Sequence, residues 1–154
     1  MFARALAANG ARKIYIIGRR KEVLESAAQS ASTDGNIVPI VGDVTSKPSL
    51  LAIAEQIRKE VGYINLLVCN SGYNPPRIDA RTLDTVSSIA QKALQQDPEE
   101  WNLGFATNAT AVAFTTFAFL TLLDAGNKSP NCFCPGVNSQ ILVTTSILDH
   151  WLEA

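Results

Sequence analysis

The stretch Lys13-Ile14-Tyr15-Ile16-Ile17-Gly18-Arg19-Arg20 decides the fold. Its apolar run is short, rich in isoleucine and broken by a glycine, so it reads as a buried strand. Upstream, Phe2, Ala5, Leu6 and the alanines around them follow a helical stripe that stops at Asn9-Gly10. Downstream, residues 20–31 are helical, with Val23 and Ala27, and Leu24 and Ala28, at one-turn spacing. Asp34-Gly35 turns the chain into a second strand, Ile37 to Val41. Pro39 sits inside that strand and has no N–H to donate, which places the strand at a sheet edge. After Gly42-Asp43-Val44, Thr45 or Ser46 caps a helix with Pro48 in its first turn. Leu50, Ala54, Ile57 and Val61 form its buried stripe, and Gly62 ends it. Ile64 to Cys69 is a third strand. Strands alternating with helices at this spacing imply right-handed βαβ units and a parallel sheet.

The second half continues the pattern less regularly. Tyr73-Asn74-Pro75-Pro76 is a loop, and residues 82–95 suit a short amphipathic helix. Asp97-Pro98-Glu99-Glu100 starts a helix with a cap, a proline in the first position and a following glutamate. That helix, rich in alanine, phenylalanine and leucine, runs to about Leu123 and is expected to be largely buried. Residues 124–138 read as loop, and Gln140 to Thr145 as the last strand. No repeat and no second domain interrupts residues 1–154.

Composition narrows the classes of function. Thirteen Lys and Arg against fourteen Asp and Glu leave a formal charge of −1, which gives no electrostatic case for nucleic acid or an anionic membrane as partner. Hydrophobic residues make up 47% and charged residues 18%, enough for a core and too apolar for disorder. The longest apolar stretch, Ala109 to Leu123, is broken by Thr110, Thr115, Thr116 and Thr121, and is short for a membrane span. Three cysteines make no disulfide framework, and the first residues lack the charged and apolar runs of a secretory leader, so none is expected. A soluble cytoplasmic location is expected. Cys132-Phe133-Cys134, with Cys69 and His150, lacks the paired second half of a metal site, so no metal is expected.

Open α/β sheets bind ligands at the carboxyl ends of their strands. Arg19 and Arg20 follow the first strand here, Asp43-Val44 the second, Asn70-Ser71-Gly72 the third, and Ser146 the last, in Thr144-Thr145-Ser146. Asn108 lies inside the apolar helix, in Thr107-Asn108-Ala109-Thr110, where asparagine is a poor helix former and a buried amide must find partners. The residues alone leave plainer readings open. The arginines could solvate the next helix, Asp43 and Ser146 could cap, Asn70-Ser71-Gly72 could be a strand exit, and Asn108 a satisfied core amide.

The set, in this order and over essentially the whole chain, resembles the classical short-chain dehydrogenase/reductase family. The resemblance implies an α/β fold, a Rossmann-like doubly wound parallel sheet binding a nicotinamide cofactor. It implies that Arg19 and Arg20 receive the 2′-phosphate of the adenosine ribose, favouring NADP(H) over NAD(H). Asp43 and Val44 then meet the adenine, and Asn70, Ser71 and Gly72 line the cofactor, with serine standing where the family carries alanine. Asn108 corresponds to the asparagine that kinks its helix and holds a water of the proton relay. Ser146 corresponds to the serine that polarises the substrate carbonyl. The long helix at 98–123 resembles one used for dimerisation, implying a homo-oligomer.

Two essentials of the family pattern are missing. None of the nine glycines is spaced Gly-x-Gly, so the glycine-rich turn that seats the pyrophosphate is absent. Tyr15 and Tyr73 have arginine four residues on and Tyr63 has leucine, so there is no Tyr-x-x-x-Lys pair to move the proton. The expectation is therefore a partial domain without the first strand and without the C-terminal part. In the order 3-2-1-4-5-6 that first strand is central, and each unpaired buried backbone group costs about 1–3 kcal/mol. Against a total stability of about 5–15 kcal/mol, a marginal product follows, unless the remaining strands close up and pair. The function expected is an NADP(H)-dependent oxidoreductase of a small-molecule ketone or secondary alcohol. The alternative is a non-catalytic fragment, or a regulatory or binding protein. A Rossmann-like methyltransferase is disfavoured, because that group wants an acid where Arg19 stands.

Overall fold

In the computed structural model, which describes residues 2–32, 35–74, 76–78, 85–128 and 130–145, the stretch around Ile14 forms strand β1 (Ile14–Gly18). It pairs in parallel with β2 (Ile37–Val41), in a register running from Ile14 opposite Ile37 to Gly18 opposite Val41. The Asn36 carbonyl accepts from the Ile14 N–H at 2.8 Å, and the Gly42 N–H donates to the Gly18 carbonyl at 2.9 Å. Pro39 lies an odd number of residues from both, so pleat parity turns its nitrogen away from β1. The edge placement expected from Pro39 holds.

Helix α1 (Phe2–Ala8) ends at Gly10, whose φ of +82° is the left-handed conformation that glycine adopts without strain. Helix α2 (Lys21–Ala31) follows β1. Ala7, Ile14, Ala28 and Ile37 are buried together, backed by Leu6, Ile16 and Ala31, so α1 and α2 close on the strand pair. Helix α3 (Lys47–Glu60) is capped by Ser46, whose hydroxyl accepts from the Ser49 N–H, with Pro48 in its first turn. Its buried positions are Leu50, Ile53, Ala54 and Ile57, one more than the expected stripe at Ile53; Val61 lies just past the helix end and is only half-buried. An ion pair from Lys13 to Glu60 ties the start of β1 to the end of α3. Ser46→Ala is expected to cost about 1 kcal/mol by orphaning one first-turn donor. An unchanged urea midpoint would show that the cap carries no stability.

These elements make up one unit, Met1–Gly62; a second comprises Tyr63–Ala154. In the second, β3 (Leu66–Cys69) pairs in parallel with β4 (Gln140–Val143), Leu66 opposite Gln140 and Cys69 opposite Val143. Both strands are shorter than the sequence pattern suggests. Among the described residues the four strands make two separate two-stranded sheets, not one closed-up sheet. Helix α4 (Val86–Leu94) is capped by Thr85 in a reciprocal arrangement with Ser88.

The expected single helix to Leu123 is corrected in three respects. It consists of α5 (Pro98–Phe105), a π-helical turn (Ala106–Thr110) and α6 (Ala111–Gly126), with Asp97 as the N-cap of α5. It is not largely buried: Ala111, Thr115, Phe119, Leu122 and Leu123 are covered, with α6 packing on β3, while Phe105, Phe117 and Leu120 are exposed. The apolar stretch read as too short for a membrane belongs to a 29-residue helical run that is long and apolar enough to cross one by length and composition. Within that run α6 packs on β3 through its covered positions only.

Candidate functional site

Two groups of candidate residues form, one in each unit, both at strand carboxyl ends. In the first, β1 ends at Gly18 and delivers Arg19 and Arg20 to the surface, both exposed. Arg20 occupies the N-cap position of α2 without a side-chain capping bond. Among the described residues neither guanidinium is held in an ion pair; the Arg19 charge acts only on Asp43 through space.

Asp43 follows β2, and hydrogen bonds hold both its carboxylate and its main chain. Its Oδ1 accepts from the Thr45 hydroxyl at 2.7 Å and the Thr45 N–H at 2.9 Å, and its own N–H donates to the Ser49 hydroxyl at 3.0 Å. Asp43 is thus not the cap of α3, a role that falls to Ser46. A Cβ at Gly42 would lie 2.4 Å from Ile53 Cδ1, the tip of a side chain of α3 that would have to turn aside to admit it. Val44 is half-buried beside it.

The Thr45 hydroxyl, then the Thr45 N–H, hold the Asp43 carboxyl below the usual carboxylate range; burial opposes them, and the Arg19 charge adds the smallest push. A depressed carboxylate stabilises the fold above its unfolded pKa and loses that contribution as pH falls through the folded value. Thr45→Val removes the larger cause. The acid limb of its stability curve is expected to shift to higher pH; coincident limbs for variant and parent would refute this.

The second group surrounds the exit of β3. Asn70, Ser71 and Gly72 are all exposed. A Cβ at Gly72 would meet Asn108 Oδ1 at 3.6 Å, an ordinary contact, so packing within the chain does not demand glycine there. Asn108 sits mid-way along the π-helical turn, where the Ala111 N–H bonds back to the Ala106 carbonyl. The expectation of a buried amide is corrected: Asn108 is exposed. Its amide is nonetheless engaged at both ends, since Oδ1 accepts from the Tyr73 N–H and Nδ2 donates to the Tyr73 carbonyl, each at 2.8 Å. The amide thereby acts as a one-residue strand partner to the loop.

Sequence reasoning missed Tyr73 and Thr144. The Thr144 N–H donates to the Cys69 carbonyl at 3.1 Å, and its hydroxyl lies 3.2 Å from that carbonyl and 3.4 Å from Asn70 Oδ1. Neither residue carries a compositional signal, because the contact partner lies 35 positions away for Tyr73 and 74 for Thr144 with Asn70. Ser146 and His150 lie outside the described residues. Cys69 is buried on β3, and burial pushes its thiol up. Cys132 and Cys134 are free loop thiols, and no cluster of three metal-ligating side chains forms among the described residues.

Residues 1–130 match the family model described as short chain dehydrogenase. The chain belongs to that family. Among relatives, a short-chain dehydrogenase/reductase of Diaporthe leptostromiformis, PhomF, is 45% identical over 150 residues, covering 96% of this chain and 49% of the relative. The protein VdtF of Byssochlamys spectabilis, of the same family, is 44% identical over 133 residues, covering 83% of this chain and 43% of its own. The chain therefore spans about half the length of the curated relatives it matches. An alcohol dehydrogenase of Thermococcus sibiricus, solved with 5-hydroxy-NADP, superposes with a TM-score of 0.70 at 21% identity, covering 94% of this chain and 51% of that one. A family member of unknown function from Caenorhabditis elegans, solved with cofactor, superposes with a TM-score of 0.68 at 25% identity, covering 94% and 47%. The fold is the family's Rossmann fold, represented here by short parallel sheets with helices.

Proposed function

We propose that these residues contribute the adenosine side and part of the substrate side of an NADP(H)-dependent oxidoreductase acting on a small-molecule ketone or secondary alcohol. One observation carries the cofactor preference. Arg19 and Arg20 stand exposed just past the end of β1, with no ion pair among the described residues, where a cofactor bearing a 2′-phosphate needs several fixed donors and one lacking it would need an acid. The archaeal alcohol dehydrogenase of like fold carries an NADP derivative, which agrees with that reading.

The residues present fit the adenosine half of such a cofactor. Asp43, ionised and fixed by Thr45, has its second carboxylate oxygen available to an exocyclic amine, and Val44 offers apolar surface to a ring. Asn70, Ser71 and Gly72 would line the path toward the nicotinamide. When bound, the cofactor supplies or accepts the hydride. Ser146 would polarise the substrate carbonyl, and Asn108 would hold water for the proton relay. The pyrophosphate turn and the Tyr-x-x-x-Lys pair are not in these residues. That fact favours a second reading, in which this chain alone binds cofactor or a partner without turnover. A cytoplasmic location and self-association through the exposed Phe105, Phe117 and Leu120 belong to the same proposal.

Calorimetric titration of the chain with NADPH and with NADH tests the cofactor, and a ketone reduction assay tests turnover. NADPH is expected to bind more tightly by at least about tenfold, as one charge-assisted contact to phosphate supplies. Equal affinities would overturn the NADP(H) preference. Measurable turnover by these 154 residues would overturn the non-catalytic reading.

A further inference from the structure

We propose that Thr144 is a positioning residue that aims Asn70 and fixes the loop Asn70–Tyr73, resting on the cofactor reading only for what that loop contacts. The loop leaves β3 after Cys69, and its two ends are gripped by side chains from different elements. At the far end the Asn108 amide takes both main-chain groups of Tyr73 at 2.8 Å. At the near end Thr144, just past β4, lies beside Cys69 through its own N–H at 3.1 Å. That main-chain bond leaves the hydroxyl between two acceptors, the Cys69 carbonyl at 3.2 Å and Asn70 Oδ1 at 3.4 Å. Ser71 and Gly72 are strung between the two grips, both exposed.

The Asn70 side chain is exposed, so water competes for it and its rotamer is otherwise unrestrained. A hydroxyl shared between Asn70 and the preceding carbonyl selects one orientation. The same threonine, two positions before Ser146 in the sequence, ties the β3 exit to the residue just past β4. Thr144 touches no reacting atom; it acts through Asn70.

Thr144→Val keeps the shape, the β-branch and the main-chain bond while removing the hydroxyl, and Thr144→Ser keeps the hydroxyl. On the isotopically labelled chain, Asn70→Asp identifies the Asn70 side-chain amide by its disappearance. In Thr144→Val the order parameter of that amide is expected to fall and the NADPH dissociation constant to rise roughly two- to tenfold, the range of one neutral hydrogen bond, with the thermal midpoint unchanged. Thr144→Ser is expected to restore both. An unaltered Asn70 amide in Thr144→Val, or a serine variant that fails to restore it, overturns the proposal. If the parent chain binds no NADPH while the Asn70 amide still follows the hydroxyl at 144, the cofactor reading fails and the positioning role stands.

Discussion

Gly126→Ala is expected to lower the stability of the fold by on the order of 3 kcal/mol, although alanine is the better helix former by about 1 kcal/mol. Gly126 closes α6 and is buried. A Cβ there would lie 2.1 Å from the Ile64 carbonyl oxygen and 2.6 Å from Ser139 Oγ, well inside contact distance. Neither obstacle can retreat cheaply. The Ile64 N–H donates to the Leu122 carbonyl at 3.1 Å, and its carbonyl accepts from the Ser139 hydroxyl at 3.2 Å. The next residue, Asn65, donates its side-chain amide to the Gly126 carbonyl at 3.2 Å and to that of Asn131 at 3.0 Å. Its carbonyl in turn receives the Gln140 N–H at 2.9 Å, the first bond of the β3–β4 pair. Pushing Ile64 aside therefore disturbs the end of a helix and the start of a sheet together. Urea unfolding measures the cost as a lower midpoint. A midpoint raised by the substitution would mean that α6 and β3 do not approach as closely as the structure has them.

Replacing Arg19 and Arg20 together with alanine is expected to weaken NADPH binding by roughly 10- to 100-fold and to leave NADH unchanged. A hydrogen bond to a charged group contributes about 1.5–3 kcal/mol, and about 1.4 kcal/mol is a factor of ten in affinity. Both arginines are exposed, so screening by solvent keeps the pair near the lower half of what two such contacts could supply. The single variants divide the effect. Arg19 sits directly after β1 and acts electrostatically on Asp43, whereas Arg20 stands one position further on, at the N-cap of α2. Arg19→Ala is therefore expected to carry the larger share. Salt gives an independent check: NADPH affinity is expected to fall with ionic strength more steeply than NADH affinity. Equal losses for the two cofactors would place the arginines away from the 2′-phosphate, and no loss would make them solvated helix-start residues.

Local pattern carried a good part of the fold. Ile37–Val41 is a strand with the bounds its apolar run suggests, and the Pro39 nitrogen points to the open side. Ser46, Pro48 and Asp97 act as helix-start residues because capping needs only neighbours within one turn. The candidate site was legible at strand ends for the same reason, since a strand that stops names the residue it delivers. Asn108 stands out in the sequence as an asparagine in an apolar helix, and it lies where that helix carries its π-helical turn. Its burial was misjudged, because whether that position is covered depends on what packs against the π-helical turn.

The sequence by itself determined the family, the βαβ alternation, the order of the candidate residues and the caps, all of which rest on spacing along the chain. Only the tertiary structure decided that four strands form two parallel pairs, that α5 and α6 are joined by a π-helical turn, and which face of that run is covered. It alone revealed the grips of Asn108 on Tyr73 and Thr144 on Asn70. Helix and strand propensity are written into neighbours three or four residues apart. The partner of a hydrogen bond 35 or 74 positions away is fixed only by how the elements pack.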